Sequence, residues 1–101
     1  MKYGLHDETI AAIQGVFLKY PAVEKVVLYG SRAKGNFKHG SDIDLTILEQ
    51  GMSHADLLRL ENELDDLMLS YKLDVSLYRE LQNSALVEHI QRVGVMFYSR
   101  M

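Results

Sequence analysis

The stretch at 28–48, LYGSRAKGNFKHGSDIDLTIL, constrains the fold more than any other part of the chain. An apolar run, Val26 to Leu28, stops at Tyr29 and a Gly30-Ser31 pair, ten residues then separate Ser31 from Asp42, and Asp44 follows at the alternate position. This reads as a strand, a tight turn, a polar loop and a second strand. Alternate residues of a strand point to one side, about 6.5–7 Å apart. If the second strand begins at Asp42, then Asp42 and Asp44 present two carboxylates to one place, while Ile43, Leu45 and Ile47 face the other way. Two acids side by side repel unless a cation lies between them. Hard oxygen ligands suit Mg²⁺ or Mn²⁺.

The turn carries its own chemistry. Glycine lets the backbone approach a ligand closely, and Ser31 can open a short helix at 31–34 whose free N–H groups suit an anion. Taken alone, Gly30-Ser31 would be no more than a turn and a helix cap. Arg32, Lys34, Lys38 and His39 then place four basic side chains within eight residues of an otherwise acidic protein of net charge −3. Such groups can neutralise a triphosphate, and Lys38 and His39 read equally well as a solvated loop. Gly35 and Gly40-Ser41 imitate the start of a Walker A loop, but that motif needs lysine directly after its second glycine.

The pattern G-S-x10-D-x-D resembles the signature of the DNA polymerase beta-type nucleotidyltransferases. Gly30-Ser31-Arg32-Ala33-Lys34-Gly35 followed by Ser41-Asp42-Ile43-Asp44-Leu45 is similar to its minimal nucleotidyltransferase (MNT) branch. The resemblance implies an α/β fold, a small mixed β-sheet with flanking helices. It also implies transfer of a nucleotide from ATP to a hydroxyl, with two Mg²⁺ ions (or Mn²⁺) about 3.5–4 Å apart. Asp42 and Asp44 would be catalytic metal ligands. Gly30, Ser31, Arg32, Lys34 and Ser41 would contact the nucleotide and its phosphates.

The rest of the chain fits that order of elements. A helix with Asp7 as its cap carries the stripe Ile10, Ile13, Val16, Phe17 and Tyr20 and ends before Pro21. The first strand runs over 23–29. After the second strand, Ser53 caps a helix with Asp56 placed as in a capping box, and its stripe Leu57, Leu60, Leu64, Leu67 and Tyr71 extends it to 71. Leu58 and Met68 lie off that stripe, and Glu61, Glu63, Asp65 and Asp66 read as its solvated face. A third strand at 72–78 puts Leu73, Val75 and Leu77 on one face and Asp74, Ser76 and Tyr78 on the other. If the apolar faces share one core, Asp74 joins Asp42 and Asp44. The resemblance makes it the third carboxylate, a metal ligand that helps deprotonate the acceptor, although aspartate also favours strand starts for its own turn bonding. Asn83 or Ser84 caps a last helix with the stripe Leu86, Val87, Ile90 and Val93, closed by Gly94, and a final strand covers 95–98.

Bulk properties narrow the class. A chain of 101 residues has room for one domain. No stretch of roughly 18 apolar residues suggests a membrane span, and the N-terminus lacks the pattern of a signal peptide. Cysteine is absent, which fits a cytoplasmic location. The acidic balance argues against direct nucleic-acid binding. His6, His39, His54 and His89 show no metal-ligand spacing.

The stretch after Asp74 is too short for an acceptor-holding second domain, so a partner is expected to bring the acceptor. The MNT resemblance implies a small helical HEPN-domain protein, the chain acting as an antitoxin that adds AMP to a tyrosine of the toxin. Two alternatives stand beside it. One is an antitoxin that neutralises its partner by binding alone. The other is a nucleotidyltransferase for a small molecule such as an aminoglycoside, completed by a partner subunit.

Overall fold

Val23–Tyr29 (β1) is apolar enough to be flanked on both edges, and in the computed structural model, which describes residues 1–100, it is a central strand. Ile43–Glu49 (β2) pairs with it antiparallel on one side and Val95–Ser99 (β4) antiparallel on the other. Leu73–Leu77 (β3) runs parallel to β2 and completes the sheet in the order β3-β2-β1-β4. Parallel neighbours need a crossover. Here the helix His54–Asp65 (α3) supplies it between β2 and β3.

Alternation along the strands sorts two faces. Val26, Leu28, Leu45, Ile47, Leu77 and Phe97 form one buried layer. Onto this layer pack Ile13, Val16 and Phe17 of Asp7–Leu18 (α1) and Leu60 and Leu64 of α3. Burying one large aliphatic side chain contributes about 1.5–3 kcal/mol, so this layer supplies most of the hydrophobic drive. Ser84–Val93 (α4) lies across the opposite face, where Ile90 meets Val27, Leu48 and Met96 around a cleft of about 260 Å³. Among the described residues no helix is long and apolar enough to cross a membrane.

Helix ends follow local chemistry, with several departures from the sequence reading. Ser53 accepts the Asp56 N–H, as expected of a cap, but the Asp56 carboxylate bonds Arg59 (3.3 Å) instead of closing a capping box. Asn83 accepts the Leu86 N–H and is the cap of α4. Asp7 is not a cap: His6 holds that position and Asp7 lies in the first turn, where an acid still favours the helix dipole.

Helix α3 stops at Asp65 rather than reaching Tyr71, and Met68 turns left-handed at φ 57°. The chain must reverse there to enter β3 in register beside β2, so Leu67 and Tyr71 pack on the core from the connecting segment. Strand β2 begins at Ile43, one residue after Asp42. Gly94 does close α4 by donating to Ile90 O (2.8 Å), but its backbone is extended (φ −61°) instead of left-handed. Its small size is what the site demands, because a Cβ there would strike Ile90 O and Val27.

Candidate active site

The cross-strand register assembles the acids. Tyr29 is opposite Asp44 in the β1–β2 pair, and Asp44 is opposite Asp74 in the β2–β3 pair. The three side chains thus form one row across three strands, on the face turned away from the core. Below it a second row pairs Thr46 with Ser76, whose hydroxyl donates to Thr46 Oγ1 (3.0 Å). Asp42 precedes β2 and is exposed, as is Asp74, whereas Asp44 is half-buried.

That arrangement concentrates negative charge. Partial burial and then the charges of Asp74 and Asp42 push the Asp44 carboxyl above the usual carboxylate range, and nearby His89 offsets this in part. Tyr29 is raised likewise, by burial, Asp74 and Asp44. The effect reaches Glu61 of α3, raised by burial, Asp65 and Asp74. Glu61 is therefore no simple solvated residue, although the sequence placed it on the exposed face.

The turn above the acids needs its glycine. Gly30 has φ 77° and ψ −156°, a region essentially closed to other residues. A Cβ at Gly30 would fall on Asp44 Oδ2, so the backbone lies directly against that carboxylate. Ser31–Lys34 (α2) follows, with Ser31 half-buried and Lys34 exposed. Lys38 and His39 are exposed in the loop beyond.

Arg32 behaves differently from its neighbours. It is 3% exposed, its Nε and Nη2 donate to Ser41 O (3.0 and 2.9 Å), and Nη1 donates to Tyr3 O (2.8 Å). The guanidinium carbon lies over the rings of Phe37 (5.1 Å to the centroid) and Tyr71 (4.9 Å). A group so engaged is a latch joining the N-terminal segment, α2 and the loop that delivers Asp42. This position is not that of a free phosphate contact. Ser41 shares the latch: its hydroxyl accepts the Lys38 N–H (2.8 Å) and shapes the turn before Asp42.

Carboxylate oxygens beneath a close-approaching glycine make a donor set suited to a hard divalent cation. Among the described residues no three acidic or imidazole side chains are gathered into a ready-made coordination shell. Mg²⁺ does not require one, since it keeps several waters and takes one or two carboxylates together with substrate phosphates.

Two residues of this site carry no functional signal in the sequence. Tyr29, itself in the row, reads only as a strand residue, and His89 of α4 shows no metal-ligand spacing. His89 Nε2 accepts the Gly30 N–H (3.2 Å), and its ring lies edge-on to Tyr29 with centroids 6.3 Å apart. Period-2 alternation from Asp44 could have suggested Tyr29 through the hairpin register, whereas no local pattern marks His89.

The family model for "Polymerase beta, Nucleotidyltransferase" matches residues 11–101. The chain belongs to this family. Its nucleotidyltransferase domain resembles solved structures throughout its length. A candidate minimal nucleotidyltransferase is 26% identical, with a TM-score of 0.70 over 94% of this chain and 95% of that one. A toxin–antitoxin structure with AMP-PNP is 18% identical, with a TM-score of 0.70 over 96% and 76%. A complex of a tri-AMPylated Shewanella oneidensis HEPN toxin with its MNT antitoxin is 15% identical, with a TM-score of 0.68 over 94% and 73%. No curated protein sequence matches the chain. For this family the four-stranded mixed sheet with flanking helices is the fold expected from the sequence.

Proposed function

We propose that the chain is a Mg²⁺-dependent adenylyltransferase that moves AMP from ATP to a tyrosine hydroxyl of a HEPN-type partner and thereby acts as an antitoxin. The observation that carries the reading is the Asp44–Asp74 pair held in register beneath Gly30, in a family whose members transfer nucleotides. The likeness to an MNT antitoxin bound to a tri-AMPylated HEPN toxin supports the choice of AMP and of partner.

In this reading, Asp42 and Asp44 hold the metal and Asp74 completes the site on the acceptor side. Bound there, Mg²⁺ would neutralise triphosphate charge and acidify the attacking hydroxyl. The N–H groups at the start of α2 and the Ser31 hydroxyl receive the outer phosphates, with Lys34 free to reach them. Asp74, exposed at the edge strand, accepts the proton of an incoming tyrosine in this reading as the tyrosine oxygen bonds the α-phosphorus and pyrophosphate leaves. Arg32 contributes by fixing Ser41 and so the approach of Asp42.

The test is intact-mass spectrometry of the chain with its copurified partner, before and after incubation with ATP and Mg²⁺. The expected result is a gain on the partner in units of AMP that disappears in Asp42→Asn. A stable complex that gains no mass would replace catalysis by neutralisation through contact. Transfer to an aminoglycoside without transfer to protein would replace the acceptor.

A further inference from the structure

Gly30 is gripped from two sides. From the sheet, Asp44 Oδ2 occupies the space where a Cβ would lie. From α4, His89 Nε2 accepts the N–H of Gly30, its one backbone donor, at 3.2 Å. The Gly30 carbonyl is also committed, accepting the Lys34 N–H (3.1 Å) inside α2. Gly30 is thus engaged at both of its polar atoms, in a backbone conformation that glycine visits at an entropic cost.

His89 itself is held. Its ring lies edge-on to Tyr29, and one helical step along α4 the side chain of Ile90 is buried on the sheet. Accepting at Nε2 leaves the ring proton on Nδ1. The charged group facing it across the row is Asp44 on β2. A histidine that accepts from a main-chain N–H, one residue before the serine of the nucleotide-binding turn, does more than fill space.

We propose that His89 is a positioning residue of the nucleotide site. Its Nε2 anchors Gly30 and keeps the Gly-Ser turn pressed against Asp44, so that the Ser31 hydroxyl is presented before a triphosphate arrives. The inference rests on the nucleotide-site reading above. Without the anchor, the turn must be ordered during binding, and nucleotide affinity falls.

The experiment compares His89→Leu, which cannot accept, with His89→Gln, whose carbonyl can. Isothermal titration with AMP-PNP and Mg²⁺ measures affinity, and amide hydrogen exchange at Gly30 reports the anchor directly. Loss of one hydrogen bond should weaken binding in His89→Leu by about tenfold and speed Gly30 exchange, with His89→Gln within about twofold of the parent on both readouts. Parental affinity in His89→Leu would overturn the inference, as would equal loss in both variants. If His89→Leu does not fold, His89→Gln decides alone, and full affinity with an unprotected Gly30 amide would also overturn it. Asp42→Asn separates the two levels of the argument. Undiminished AMP-PNP binding in that variant overturns the nucleotide-site reading and the role of His89 with it. Lost binding there, with His89→Leu unchanged, overturns only the role of His89.

Discussion

Two polar regions lie side by side in this molecule and are built on opposite principles. Around Arg32 the positive charge meets its complement: Nε, Nη1 and Nη2 all donate to carbonyl oxygens at 2.8–3.0 Å, and the guanidinium carbon lies over the rings of Phe37 and Tyr71. Around Asp44 the charge meets more of the same sign, from Asp74 and Asp42. One region is finished by folding. The other is left electrostatically incomplete, and a cation with a polyphosphate would complete it. Satisfied charge holds structure, and unsatisfied charge held rigidly in place is what a binding site requires.

The sharpest way to break the comparison is to neutralise the incomplete region. Asp42→Asn or Asp44→Asn removes a proposed metal ligand outright. Changing even a partner behind a ligand typically costs about 10–100-fold, so loss of the ligand should reduce transfer from α-labelled ATP by more than about a hundredfold. Activity within a few-fold of the parent in either variant would dissolve the distinction between the two regions.

The latch should respond in the opposite sense, through stability. Arg32→Ala strands the carbonyls of Ser41 and Tyr3 and removes two cation–π contacts, a loss of about 2–4 kcal/mol. Urea denaturation measures it. Arg32→Lys should recover little, since a single ammonium cannot bond Ser41 O through two nitrogens while also reaching Tyr3 and stacking. Full stability in Arg32→Lys would mean that charge alone, not the planar fork, closes the latch.

The difference between the regions also explains what could be read from the sequence. The alternation of elements is legible because strands and helices announce themselves by local period, and period-2 patterns put Asp44 and Asp74 on one face if their strands share a core, but only the β2–β3 register sets them opposite each other. Helical spacing overstates the reach of α3, because Leu67 and Tyr71 keep that spacing although the chain turns at Met68. Arg32 looked like a phosphate contact because its local setting is basic. Its true partners, Tyr3, Phe37, Ser41 and Tyr71, come together only when four segments meet. His89 is harder still: it acts 59 residues from Gly30, and only the rotation of α4 over the sheet aims its ring there. Period reports which face a residue occupies, not which distant backbone atom it meets.

Acidity sharpens the comparison further. The Asp44 carboxyl is raised, so folding favours its neutral form. Its contribution to stability is full below the unfolded pKa and is lost as pH rises through the folded one. At neutral pH the parent therefore bears the whole repulsion, whereas Asp44→Asn does not. Asp44→Asn should melt a few degrees above the parent at pH 7, with the gap closing in acid. Adding Mg²⁺ should stabilise the parent and narrow the gap from the other side. Calorimetry across pH measures both, and a variant that melts below the parent at pH 7 would mean that the row is not under charge strain.

The smallest effect tests whether any unsatisfied polar group, or only the acidic row, carries function. The Tyr98 hydroxyl is buried without a hydrogen-bond partner among the described residues. It lies on the core side of β4, with its ring against Phe17 at 5.8 Å, far from the register row of acids. Removing an unpaired buried hydroxyl relieves its desolvation and leaves no new orphan. Tyr98→Phe should therefore change stability by no more than about 0.5 kcal/mol, or raise it slightly, and leave nucleotide binding untouched. A loss above that, or weaker AMP-PNP binding, would mean that the hydroxyl is engaged in solution, and that incompleteness at Tyr98 is of the same kind as at Asp44. The expected neutrality would instead confine the functional imbalance to the face beneath Gly30, where ionised groups repel across fixed strands rather than one neutral hydroxyl going unpaired.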